Sequence, residues 1–219
     1  MPKKSWNLRK GGKLRKNLNT RDLRKKFLIM TEGETEAVYF NHYKQVPNPV
    51  ILVIDKSDNK TSLVKKAVEE KKRRVSQKDF IDGLDEAWVV FDRDVSSNNG
   101  DKANFNNALQ IAKNNGINVA YSNDSFELWF LMHFQDVSSA MHRDVVCKKL
   151  NGHLGKKHVK GGSGDLYEVI KPNREIAVKR ATSVLKNCSG IAPEAANPST
   201  TVHILVGRIM DHSGFRDDT

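Results

Sequence analysis

Lys26-Phe27-Leu28-Ile29-Met30-Thr31-Glu32-Gly33-Glu34-Thr35-Glu36-Ala37-Val38-Tyr39-Phe40 is the stretch that decides how this chain folds. Within its first six residues, Phe27 to Met30 is an unbroken apolar run, and Lys26 to Thr31 reads as a strand buried on both faces. Acids and a glycine then break the run. From Thr35 to about Tyr43 the apolar positions Ala37, Val38 and Phe40 recur at helical spacing, so the stretch reads as strand, tight turn, helix. The same alternation continues outward. Val50 to Ile54 is a second strand and about Ser62 to Val75 a basic-faced helix. Glu86 to Phe91 is a third strand, and Asp101 to Asn114 a helix with Phe105, Leu109, Ile111 and Ala112 inward. Ile117 to Tyr121 is a fourth strand, and Ser125 to Phe134 an apolar helix. Strands alternating with helices at this spacing predict an α/β fold with a mainly parallel four-stranded sheet, Rossmann-like, covered by helices on both faces.

Beyond Asp136 the strand signal fades. His142 to about Asn151 and Pro172 to about Lys186 read as helices, with a Gly/Lys-rich loop from Gly152 to Gly164 between them. Asn197-Pro198-Ser199-Thr200 resembles a helix start leading into Val202 to Met210, with Ser199 or Asn197 as its cap. The expected organisation is a basic tail over residues 1–25, an α/β domain over 26–136, and a helical annex over 137–219 packed on the same core.

Charge is unevenly placed along the 219 residues. Lys and Arg number 37 against 26 Asp and Glu, a formal +11, which points to an anionic partner such as nucleic acid. Residues 1–26 hold eleven of those cations and only Asp22 as an anion; the rest of the chain carries 26 against 25. The excess is therefore a tail, with Arg9, Lys10, Lys13, Arg15, Lys16, Arg21, Arg24 and Lys25 as candidate nucleic-acid contacts. Two distant cysteines, Cys147 and Cys188, exclude a disulfide scaffold and paired-cysteine zinc modules. Apolar runs are far shorter than the ~18 residues a membrane span needs, and the basic start lacks the apolar core of a secretory signal. The expectation is a cytoplasmic protein with no membrane partner.

In an open parallel sheet, ligands collect at the carboxyl ends of the strands. Strand one runs into Glu32, with Gly33 permitting a tight turn and Glu36 one helical turn later; Glu34 points the other way, toward solvent. Strand three runs into Asp92-Arg93-Asp94. Extended alternation would put both aspartates on one side, roughly 6–7 Å apart at Cα. Like charges that close repel, and Mg²⁺ or Mn²⁺, which favour carboxylate oxygens, would relieve the repulsion. An isolated D-x-D is more often a cap or a solubilising loop; its pairing with E-G-x-x-E at a second strand end favours a metal site.

With Phe27 to Phe40 and Val90-Phe91-Asp92-Arg93-Asp94 belong two further stretches: Ser122-Asn123-Asp124-Ser125-Phe126-Glu127-Leu128-Trp129-Phe130-Leu131-Met132-His133-Phe134, and Asn197-Pro198-Ser199-Thr200-Thr201-Val202. Together they resemble the RloB family of Toprim-like proteins, found in bacterial and archaeal defence and restriction loci. The resemblance implies a Toprim-like, metal-dependent nuclease related to OLD-type nucleases, using Mg²⁺ or Mn²⁺ on DNA or RNA, with a partner ATPase from the same locus. Carried onto this chain, it assigns Glu32, Glu36, Asp92 and Asp94 to the metal and to catalysis. Glu127, of the F-E-L-W stretch, either completes the metal shell or favours its helix N-terminus through the helix dipole. Lys160 matches a lysine that would stabilise a phosphoryl transition state, with Lys156 and Lys157 competing for the role. Relatives often extend the D-x-D with further acids, whereas Val95 and Ser96 follow here, which weakens the case for a second metal. His133, inside an apolar run, reads as a packed core residue before it reads as an acid or base. Four tyrosines in a chain of this length leave no room for topoisomerase strand-gating machinery. The rival reading is a noncatalytic nucleic-acid-binding or adaptor subunit serving a partner ATPase or restriction system.

Overall fold

The computed structural model describes residues 24–45, 48–55, 59–94, 99–159, 161 and 165–213. Strands β1 (Lys26–Thr31), β2 (Val50–Asp55), β3 (Glu86–Asp92) and β4 (Asn118–Asn123) are parallel, and β5 (Ser199–Thr200) closes one edge antiparallel to β4, in the order β2-β1-β3-β4-β5. Central position explains the apolar run of β1: it is paired on both edges and covered on both faces, so successive side chains go to opposite cores. Phe27 and Ile29, with Ile51, Trp88, Val90 and Ala120, face one core. Leu28 and Met30, with Ala87, Val89, Phe91 and Tyr121, face the other.

Helices α2 (Lys60–Ser76) and α3 (Asn99–Asn114) cover the second face through Leu63, Val64, Ala67, Phe105, Ala108 and Ala112. Asn59 starts α2 by accepting the Ser62 N–H through its side chain at 2.9 Å. The first face carries α1 (Glu34–Asn41) and α4 (Glu127–Leu131). It also carries the C-terminal helices α5 (Arg143–Leu154), α6 (Asp165–Ile170), α7 (Arg174–Asn187) and α8 (Val202–Ser213), whose Val146, Leu150, Ile170, Ala177, Val206 and Ile209 share one core with the sheet. No helix among the described residues is long and apolar enough to cross a membrane.

Several expectations need correction. The sheet has five strands rather than four, because Ser199 and Thr200 pair with Asn123 and Ser122 instead of opening a helix. Thr200 is held there by its hydroxyl against that of Ser122 at 2.9 Å, a polar pairing that hydrophobic periodicity does not register. Helix α4 ends at Leu131, short of Phe134. The amides of His133 and Phe134 donate to Phe130 and Leu131, three residues back, so the apolar stretch finishes as a tightened turn. The single helix expected over 172–186 is preceded by α6 and a 3₁₀ turn over Lys171–Asn173, where Pro172 lacks the N–H a continuous α-helix needs. Helix α5 extends to Leu154 and is closed by Gly155 at φ 63°.

Candidate active site

The carboxyl ends of β1, β3 and β4 meet at a cleft of about 320 Å³ lined by Glu32, Glu34, Glu36, Asp92, Asp94, Glu127 and Arg143, among others. Glu32 follows β1 directly, and its amide donates to the Val90 carbonyl, so the chain is still tied to β3 where the acid emerges. Gly33 turns the backbone into α1, which presents Glu36 from its first turn. A Cβ at Gly33 would lie 2.7 Å from Glu36 Oε2, so the glycine leaves room for that carboxylate. Asp92 is the last residue of β3, and Glu127 the first of α4.

These acids divide into two groups. Asp92, Glu36 and Glu127 form the inner group. Glu36 is 5 % exposed and Glu127 3 %. Asp92 Oδ1 is buried and receives no hydrogen bond from the described residues. Burial, then the charges of Glu36, Asp94 and Glu127, raise the Asp92 carboxyl well above the ordinary aspartate value, against the opposing pull of Arg143. An orphaned carboxylate oxygen among buried acids is what a hard divalent cation would satisfy, and the oxygen-only donor set suits Mg²⁺ or Mn²⁺. Among the described residues, no three potential ligands are already gathered at one coordinating point.

Glu32 and Asp94 form the outer group and are held by cations. Lys60 Nζ lies 3.1 Å from Glu32 Oε1 and 2.7 Å from Asp94 Oδ2. Arg143 Nη2 lies 2.5 Å from Asp94 Oδ1 and 3.9 Å from Asp92 Oδ2. The second Glu32 oxygen accepts the Asp92 amide at 3.2 Å. Burial raises the Glu32 carboxyl, with Lys60 only partly opposing it. For Asp94 burial pushes in the same direction, but Lys60 and Arg143 outweigh it and the net effect is a lowered value. Burial likewise opposes charge on Lys60 and Arg143, and the facing carboxylates keep both held above their usual values.

The D-x-D is not a simple extension of β3. The strand stops at Asp92, and Asp94 adopts φ 51°, a left-handed conformation that aspartate tolerates better than most residues. Arg93 between them is buried, with its amide donating to Ser122 and its guanidinium to the carbonyls of Asp94 and Glu194, 5.5 Å from the Phe105 ring centre. Asp94 is thereby turned to meet Lys60 and Arg143. The two aspartates still converge, since one Arg143 nitrogen approaches both.

Lys60, Arg143 and Asp124 escaped the sequence reading. Asp124 is 1 % exposed and accepts the Arg143 amide through Oδ2 at 3.1 Å, which fixes the start of α5 over the cleft. The cations gave no local signal: Lys60 is one of many lysines in a basic helix, and Arg143 lies 49 residues from Asp94. His158 is a further unforeseen neighbour, with Nε2 3.8 Å from Glu127 Oε1. His133 is 2 % exposed and joined through Nδ1 to the Trp129 carbonyl, a packed residue away from the cleft. Lys160 and the tail residues Arg9, Lys10, Lys13, Arg15, Lys16 and Arg21 lie outside the described residues. Lys25 pairs with Glu86 at 2.7 Å at the opposite edge of the sheet. Arg24 immediately precedes it.

Comparison with curated proteins and with solved structures finds no match. Residues 27–209 match the family described as RloB-like protein, a span that contains every carboxylate of the cleft together with Lys60, Asp124 and Arg143. The chain belongs to the RloB-like protein family.

Proposed function

We propose that this RloB-like protein is a divalent-metal-dependent nuclease with a Toprim-type site, hydrolysing phosphodiester bonds of DNA or RNA. The observation that carries the reading is Asp92: a buried carboxylate with one oxygen orphaned, surrounded by Glu36, Asp94 and Glu127 at the end of a central strand. Asp92, Glu36 and Glu127 would hold Mg²⁺ or Mn²⁺, with Asp94 and Glu32 at the rim. Such an ion, when bound, neutralises the scissile phosphate and makes a water more acidic. The chain's own residues supply positioning. Glu32 accepts the Asp92 amide and so locks the two strand ends together. Arg143, on the annex, presents a permanent positive charge at the cleft, suited to a non-bridging phosphate oxygen. Lys160 retains its proposed role beside the phosphoryl group on the strength of the resemblance. The same resemblance supports a cytoplasmic defence function beside a partner ATPase, which co-purification with the neighbouring locus proteins would check.

The experiment is sequencing of nucleic-acid ends after expression of the wild type beside Asp92→Asn. New ends are expected only with the wild type, and they identify the substrate. Cleavage in Mn²⁺ that survives Asp92→Asn removes the assignment. One observation favours a noncatalytic binding or adaptor role: Lys60 already bonds Glu32 and Asp94, as in a structural ion-pair network. Calorimetric titration with Mn²⁺ separates the two, because an adaptor has no need to bind the ion.

A further inference from the structure

The donors around the outer carboxylates bear directly on how a metal could bind. Asp94 Oδ2 is taken by Lys60 and Oδ1 by Arg143; Glu32 Oε1 is taken by Lys60 and Oε2 by the Asp92 amide. All four oxygens accept a hydrogen bond, whereas Asp92 Oδ1 has no donor among the described residues. A divalent ion seated against Asp92 that recruits Asp94 or Glu32 Oε1 must share or replace a bond to one of these cations, and in either case meets its positive charge. Lys60 is the first residue of α2 and is 5 % exposed; Arg143 is the first residue of α5. Two separate helices thus deliver one positive charge each to the same carboxylate from opposite sides.

We infer that Lys60 and Arg143 are resident counter-cations of the cleft, which stabilise its acids when metal is absent and compete with the divalent ion for Asp94 and Glu32. The inference rests on the metal site proposed above. Arg143 has an alternative partner ready, since Nη2 also lies 3.2 Å from the Asp124 carbonyl and 3.5 Å from Asp124 Oδ1. Its guanidinium can leave Asp94 without losing all of its bonds. A displaced Lys60 ammonium stays tethered to α2 beside the cleft, where a substrate phosphate is the next available anion. The opposing account makes Lys60 a positioning residue that preorganises Glu32 and Asp94 for metal. The two accounts differ in sign. Removing a competitor tightens metal binding, and removing an organiser weakens it.

The test is calorimetric titration of Mn²⁺ into the full chain at low ionic strength, for the wild type, Lys60→Met, Lys60→Arg and Arg143→Gln, with thermal unfolding of each with and without Mn²⁺. Lys60→Met is expected to bind Mn²⁺ about tenfold more tightly, as removal of a unit charge a few ångströms from the ion implies. Arg143→Gln should shift the same way, and Lys60→Arg should stay within about twofold of the wild type because the charge is kept. Without metal, Lys60→Met should melt lower than the wild type and gain more from Mn²⁺. Unchanged or weaker binding in a folded Lys60→Met overturns the inference while leaving the metal site standing. If Lys60→Met does not fold, Arg143→Gln decides by the same sign. A wild type that takes up no Mn²⁺ removes the metal site, and the inference falls with it.

Discussion

Gly33 has φ −132°, extended backbone open to any residue, so alanine there meets no conformational penalty. It meets the Glu36 carboxylate instead, at 2.7 Å from the added Cβ. The end of a flexible side chain can move aside cheaply, and Gly33→Ala should therefore change stability by less than about 1 kcal/mol. Displacing Glu36 from the inner acids should nonetheless weaken Mn²⁺ binding, and calorimetry beside a urea melt shows whether the two effects part in this way. His133 makes the complementary case of a titratable group committed to the core. Burial pulls its pKa from 6.5 down to about 4, against the helping bond to the Trp129 carbonyl. Between those values the unfolded chain binds a proton that the folded chain refuses, so stability rises with pH through the window and falls by up to about 3 kcal/mol as pH drops from 6.5 to 4. His133→Phe leaves the Trp129 carbonyl without that donor and lowers the baseline by about 1 kcal/mol. It should also flatten this slope, which urea melts across pH 4–7 would reveal. The acids of the cleft were readable because Glu32 and Asp92 stand at the ends of apolar runs. Lys60 and Arg143 were not, because a cation's role depends on what lies across the fold from it.

Elements with a strong period were readable to within a residue or two: β1, β2, β3 and α3 each carry enough inward apolar side chains to announce themselves. The misplaced element, β5, is two residues of Ser and Thr held by polar bonds to β4. Thr201 extends that attachment, its amide donating to the Tyr121 carbonyl at 2.8 Å and its hydroxyl accepting the Tyr121 amide at 2.9 Å. Thr201→Val keeps the shape and removes the acceptor, leaving a partly buried amide unsatisfied, a loss of about 1–3 kcal/mol. Thr201→Ser should restore most of it in urea unfolding. Because β4 leads directly into Asp124, which anchors α5 and Arg143, the edge strand also bears on the cleft. Short polar edges of this kind leave no periodicity to detect, and their pairing is decided only once the rest of the sheet exists.

At the scale of the whole molecule, the acids of the cleft and the first described residues of the chain lie at opposite ends of the sheet. The acids gather where β1 and β3 finish, while Lys25, Glu86 and Arg208 are knotted together where those strands begin. Six residues of β1 separate the two edges, about 20 Å at the rise of a strand. The first described residues, Arg24 and Lys25, lie at the end of the sheet away from the cleft, and residues 1–23 carry eight Lys/Arg against the single acid Asp22. The carboxylates and cations of the cleft all lie between residues 32 and 143, outside that segment, so on the proposed nuclease reading affinity and cleavage should respond to different changes. A chain lacking residues 1–23 should bind nucleic acid more weakly and by a similar factor for every sequence. Its log–log salt slope should fall by about 0.9 for each duplex phosphate that the missing segment would have neutralised. Turnover at saturating substrate should stay close to the full-length value, because no residue of the cleft has been touched. Asp92→Asn should do the reverse, abolishing turnover while leaving the salt slope intact. Binding measured from low to moderate salt, with single-turnover cleavage on the same samples, reads both quantities. A shortened chain that keeps the full salt slope would place the phosphate-binding cations on the folded body, with the basic face of α2 as the first surface to alter.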